Sequence, residues 1–131
     1  MLSDFDSIKQ AILLSLEENK INAIQVLLIG SLARECARIN SDADIMICFK
    51  KKNLPDQDKL YDLIYLLEAK IGRKVDLIVF EYVGKFVNHD PRDIDFIENA
   101  FTDARIIIND SKVGKEFIEL SNKIGLLKLI S

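Results

Sequence analysis

Tryptophan is absent from the 131 residues, histidine occurs once, at His89, and cysteine twice, at Cys36 and Cys48. Without CxxC spacing, these supply too few ligands for a zinc centre and no disulfide framework. A reduced, cytoplasmic chain is the plain expectation. Proline (2) and glycine (5) are scarce, which favours long regular elements over loops. The glycines form neither GxGxxG nor GxxxxGK[ST], so dinucleotide and Walker-type sites are not supported. No run reaches the roughly 18 apolar residues of a membrane span. The opening MLSDFDSIKQ lacks the basic-then-apolar order of a secretory signal. An excess of positive charge is also missing. With 18 Lys plus Arg against 21 Asp plus Glu, the net charge is −3, which argues against direct nucleic-acid binding.

What is present is a chain able to bury a core: 49% of residues are hydrophobic and 30% charged. Phe5, Ile8, Ile12 and Leu16 draw one helical stripe. Ile24–Ile29 is a nearly continuous apolar run ending at Gly30, the pattern of a buried strand. Ser31–Ala37 is expected as a short helix and Asp44–Phe49 as a second strand, stopped by Lys50-Lys51-Lys52. Leu60, Ile64, Leu67 and Ile71 mark an amphipathic helix ending near Gly72. Val75–Phe80 is a third strand. Asp90-Pro91 followed by Asp93 has the order of a helix start, and that helix should reach about Thr102. Ala104–Ile108 is a fourth strand, and Val113, Phe117, Leu120 and Ile124 stripe a last helix. The alternation predicts one α/β domain over residues 1–131.

Chemistry concentrates in GSLARECARINSDAD, residues 30 to 44. Gly30-Ser31 closes a strand and opens a helix, so the backbone can turn sharply and a phosphate can approach closely. Free N–H groups of the first turn and the Ser31 hydroxyl are then available to anionic oxygens. Asp42 and Asp44 are separated by one residue at the start of a strand, which sets both carboxylates on one face with Cα atoms about 6–7 Å apart. Two acids so placed repel unless a cation lies between them. Two Mg²⁺ ions about 3.5–4 Å apart suit that reach and would clamp the attacking and leaving oxygens of a phosphoryl-type transfer. Asp76 interrupts the apolar run KVDLIVF, and an acid in such a strand needs a partner. Were the second and third strands neighbours, Asp76 would complete a three-carboxylate site.

These residues resemble a known family. Gly30-Ser31, ten intervening residues and Asp42-Ala43-Asp44 reproduce the GSx10DxD signature of the minimal nucleotidyltransferases of the DNA polymerase β superfamily. Ala33-Arg34, Ser41 and the strand position of Asp76 extend the match. The resemblance implies an α/β (α+β) nucleotidyltransferase fold, a small mixed sheet of about four strands flanked by helices. It implies that Gly30 and Ser31 hold the β and γ phosphates of ATP. Asp42 and Asp44 would bind two Mg²⁺ ions, and Asp76 would share one metal and help deprotonate the acceptor hydroxyl. Arg34 and Arg38, one helical turn apart, are candidate phosphate contacts. Many members resemble antitoxins that transfer AMP from ATP to a tyrosine of a HEPN toxin, a small helical ribonuclease. One position departs from the pattern: Glu35 stands where such sequences often carry glycine. It either faces the triphosphate and opposes it, or turns to solvent or to Arg38.

Size narrows the acceptor. A chain of 131 residues is spent on the catalytic sheet, so the acceptor is expected on another chain, in a homo- or hetero-oligomer. The leading expectation is a protein adenylyltransferase acting as the antitoxin of a HEPN-type toxin. The alternatives are a non-catalytic antitoxin that occludes its partner and the catalytic subunit of a small-molecule nucleotidyltransferase. Lys50-Lys51-Lys52 with Arg73-Lys74 is either a basic patch for RNA or nucleotide or, as the acidic total favours, a set of solvated turns. The apolar tail Gly125–Ser131 either packs on its own domain or contributes to a protein interface.

Overall fold

The structure, a computed structural model, describes residues 1–82, 86–87 and 104–109. The helices expected from Asp90 and around Val113–Ile124, His89 and the tail Gly125–Ser131 lie outside the described residues. Helix α1 spans Phe5–Glu18, with Asp4 as its N-cap accepting the Ser7 amide at 2.9 Å. Its inward stripe is Ile8, Ala11, Ile12, Ser15 and Leu16. Ser15, the polar member, donates its hydroxyl to the Ala11 carbonyl at 2.7 Å. Helix α3 covers Gln57–Ile71 between an Asp56 cap, which accepts the Lys59 amide at 2.8 Å, and a left-handed Gly72 (φ 73°).

The strands are β1 Gln25–Ile29, β2 Ala43–Lys50, β3 Val75–Tyr82, β4 Phe86–Val87 and β5 Arg105–Asn109. They form one mixed sheet in the order β4-β3-β2-β1-β5. β1 pairs antiparallel with both β2 and β5, while β2 and β3 are parallel. Parallel pairing requires a crossover, and α3 supplies it. The mixed sheet is as expected, with the two-residue β4 as an additional edge strand.

Strand alternation divides the sheet into two faces. Val26, Leu28, Ile45, Ile47, Phe49 and Val75 pack with α1 and α3 in one buried cluster. Leu27, Ile29, Met46, Cys48, Ile78 and Phe80 form a second cluster on the other face. Cys48 belongs to this core, and burial pushes its thiol up to about 12, so it is no nucleophile at neutral pH. Asp44 and Asp76 have the strand parity of this second face, opposite α1 and α3. They stand at the sheet end where β1 finishes and β2 and β3 begin.

The helix expected over Ser31–Ala37 is shorter. Helix α2 is Gly30–Ala33, with Arg34 as C-cap. Glu35 then adopts a left-handed conformation (φ 57°). The Glu35 amide donates to the Leu32 carbonyl at 3.3 Å and the Cys36 amide to the Ser31 carbonyl at 3.0 Å. That pair of bonds is the Schellman closure of a helix, in which the left-handed position is usually glycine.

Candidate active site

Gly30 follows directly on β1 with φ 74°, a conformation that carries little cost only for glycine. A Cβ built there would lie 2.6 Å from Asp44 Oδ2. The Asp44 carboxylate therefore lies against the bare backbone of the turn, and any side chain at position 30 would displace it. The register explains this proximity: Asp44 is opposite Ile29 across the antiparallel pair, one residue from the turn.

On its other side Asp44 is in register with Asp76 of β3. Adjacent strands lie about 4.8 Å apart, so the second and third acids are brought together as the sequence anticipated. Asp42 lies just before β2 and is exposed. Asp44 is half-buried, and its carboxyl is pushed up to about 6, by burial first and then by the charges of Asp76 and Asp42. Arg34 acts in the opposite sense, which places its charge near the acids. Among the described residues, no three His, Cys, Asp or Glu side chains close into a ready metal cage. The acids form an open, electrostatically coupled edge instead.

Arg34 and Arg38 do not share a helix face, because α2 ends before them and the chain reverses at Glu35. Arg38 is exposed. Its backbone amide donates to Ser41 Oγ at 2.8 Å, and its carbonyl accepts the Ser41 amide at 3.1 Å, closing the turn ahead of Asp42. Glu35 turns to solvent, its side chain 65% exposed, and pairs with Arg105 rather than Arg38. Its Oε1 meets Arg105 Nη1 of β5 at 3.0 Å, and the Arg105 guanidinium lies 3.8 Å above the Phe5 ring. Since β5 borders β1 on the side away from β2, the departure from glycine is engaged beyond the acid edge.

Arg73 is the residue that sequence reasoning misplaced. It is only 6% exposed, whereas Lys50–Lys52 are solvated at the far end of β2. The eight residues of β2 separate these groups, so they form no common basic patch. A lone Arg beside Lys in a polar turn carries no sequence signal of burial; only the converging carbonyls reveal it. An open cavity of about 470 Å³, lined by Asp6, Ser7, Gln10, Ala11, Leu14 and Lys70, lies on the helix layer, remote from the acids.

The turn, the paired acids and the mixed sheet define a nucleotide-transfer fold, and comparison with known proteins gives the family. The nucleotidyltransferase domain family matches residues 9–108, and the chain belongs to it. It is 36% identical over 78 residues to a protein of Methanocaldococcus jannaschii named as a protein adenylyltransferase, covering 56% of this chain and 78% of that one. Two solved structures share the fold. One is a toxin–antitoxin with AMP-PNP (TM-score 0.65, 17% identity, 88% of this chain and 85% of that chain). The other is a tri-AMPylated HEPN toxin of Shewanella oneidensis in complex with an MNT antitoxin (TM-score 0.60, 15% identity, 89% of this chain and 82% of that chain). No helix among the described residues is long and apolar enough to cross a membrane.

Proposed function

We propose that this chain is a Mg²⁺-dependent protein adenylyltransferase, a single catalytic domain over residues 1–131 that moves AMP from ATP to a tyrosine hydroxyl of a partner HEPN toxin and thereby acts as its antitoxin in the cytoplasm. The observation that carries the reading is Asp44, held against Gly30, in register with Asp76 and raised to about 6 among like charges. Carboxylates gathered at such cost suit a hard divalent cation, which takes oxygen ligands and replaces their mutual repulsion with attraction. Openness of the acid edge suits Mg²⁺ in particular, since that ion keeps places for water and substrate phosphates rather than sitting in an all-protein cage.

Asp42, Asp44 and Asp76 would hold the ions, and the bound metal would polarise the transferring phosphoryl group and offset its developing charge. Gly30 offers a turn without a side chain, and with Ser31 receives the β and γ phosphates through backbone N–H groups and a hydroxyl. Helix α2 has only four residues, so its dipole adds little and the cradle rests on local donors. Arg34 and Arg38 contribute positive charge on the phosphate side. Exposed Asp76 is available to take the proton of the tyrosine hydroxyl as its oxygen attacks the α-phosphorus. The bond to the β-phosphate oxygen breaks, and pyrophosphate leaves.

Intact-mass spectrometry of the partner incubated with this protein, ATP and Mg²⁺ tests the reading. Addition of AMP to a tyrosine is expected, and chelation of the metal should abolish it. An unmodified partner under all divalent conditions sinks the proposal.

A further inference from the structure

Arg73 carries a full charge into the interior, which is costly unless its donors are taken up. The guanidinium makes four hydrogen bonds, all to neutral oxygens. Nε donates to the Leu2 carbonyl at 2.8 Å, Nη1 to the Arg38 and Ser41 carbonyls at 2.7 and 3.0 Å, and Nη2 to Ser3 Oγ at 2.9 Å. Arg38 and Ser41 close the turn that delivers Asp42. Arg73 itself stands three positions before Asp76 in the sequence. Its neighbour Lys74 accepts the Ala43 amide at 2.8 Å, the bond that opens the pairing of β2 with β3. One side chain thus ties the arm bearing Asp76 to the loop bearing Asp42, just ahead of Asp44 in β2. It anchors both to the segment Leu2–Ser3, which is itself held by the Leu2 amide on the Ile71 carbonyl at 2.8 Å.

We propose that Arg73 is a positioning residue for the acid edge: it fixes the Arg38–Ser41 turn against the start of β3 and so sets how Asp42 stands relative to Asp44 and Asp76. The inference rests on the reading of those three acids as metal ligands. A planar, forked cation suits the task because its acceptors lie in several directions around one group. A lysine ammonium, a point charge on a single stem, keeps the charge but not that geometry.

The test is Mn²⁺ binding, followed by electron paramagnetic resonance of the free ion and paired with thermal melting of each variant. Arg73→Lys is expected to weaken Mn²⁺ binding at least tenfold in protein that remains folded. Ser41→Ala, which leaves Arg73 and its carbonyl acceptors in place but removes the Arg38 amide's bond to Ser41 Oγ in the turn it clamps, is expected to weaken binding severalfold with an unchanged melting temperature. Ser3→Ala, on the anchoring side, should stay within twofold of the parent. A folded Arg73→Lys protein that melts earlier yet binds Mn²⁺ as tightly as the parent makes the residue merely structural and overturns the proposal. Should Arg73→Lys fail to fold, unchanged Mn²⁺ affinity in Ser41→Ala overturns it equally. If the parent shows no binding that Asp44→Asn removes, the metal-ligand reading fails, and this inference falls with it.

Discussion

The helix layer and the acid edge follow opposite rules. In the layer, Asp4 and Asp56 cap their helices, Gly72 takes the left-handed closing position, and Ile8, Ile12, Leu63, Leu67 and Ile71 fill one core. Within α1 and α3 local preference agrees with the global fold; Lys20, left-handed at φ 53° behind α1, is the exception. At the end of the sheet, residues 30–44 depart further: Glu35, like Lys20, occupies a left-handed position that glycine prefers, and Asp44 is half-buried among like charges. Such departures persist only where surrounding structure over-determines them, and they gather where chemistry is done. Core packing dominates one region, and the proposed chemistry belongs to the other.

Paired substitutions should separate the two regions. Under the proposed reading, Asp44→Asn is expected to lower AMP transfer by about 10³-fold or more, since it removes charge that would hold the metal at the reacting phosphate. Steady-state transfer assays with saturating ATP measure this, and the protein should remain folded. Leu67→Ala is the counterpart. It leaves a hole in the helix core and should cost about 2–5 kcal/mol in urea unfolding, with transfer per folded molecule unchanged. Gly30→Ala strikes both regions at once. Left-handed backbone with a Cβ costs about 1–2 kcal/mol. Crowding against Asp44 adds about 1–3 kcal/mol. Transfer and stability should fall together.

A subtler effect concerns pH. Asp44 binds its proton more tightly folded than unfolded, because its pKa is raised from 3.8 to about 6. Between those values the folded state holds more protons, so the metal-free protein loses stability as pH rises from about 4 to 6. Asp44→Asn should therefore melt higher than the parent at pH 8, by roughly 1 kcal/mol after solvent screening is discounted. The gain should vanish near pH 4, and added Mg²⁺ should stabilise the parent alone. The smallest effect is expected from Glu35→Gly. It relieves a left-handed side chain but gives up an exposed pair with Arg105, leaving stability equal or higher by at most about 1 kcal/mol. Differential scanning fluorimetry across pH follows both.

Much of this division was legible in the sequence. Apolar stripes located α1 and α3, and apolar runs located β1, β2, β3 and β5 to within one or two residues, because burial imposes those periods directly, whereas the two-residue β4 was not anticipated. Asp42, Asp44 and Asp76 were recognisable as acids out of place. The end of α2 was not, since nothing in the composition of RECAR announces a left-handed glutamate. Nor was Arg73, whose role depends on carbonyls of residues 2, 38 and 41 that only the fold brings together. Side-chain patterns reveal periodic burial; convergence of backbone groups from distant segments leaves no such trace.

The most direct test of the central claim uses ATP labelled at either the α- or the γ-phosphate, with Mg²⁺ and the proposed HEPN-type partner. With the parent protein the α label alone is expected to enter the partner, and Asp44→Asn is expected to abolish it. Label entering from the γ-phosphate, or α label undiminished by Asp44→Asn, would contradict that claim.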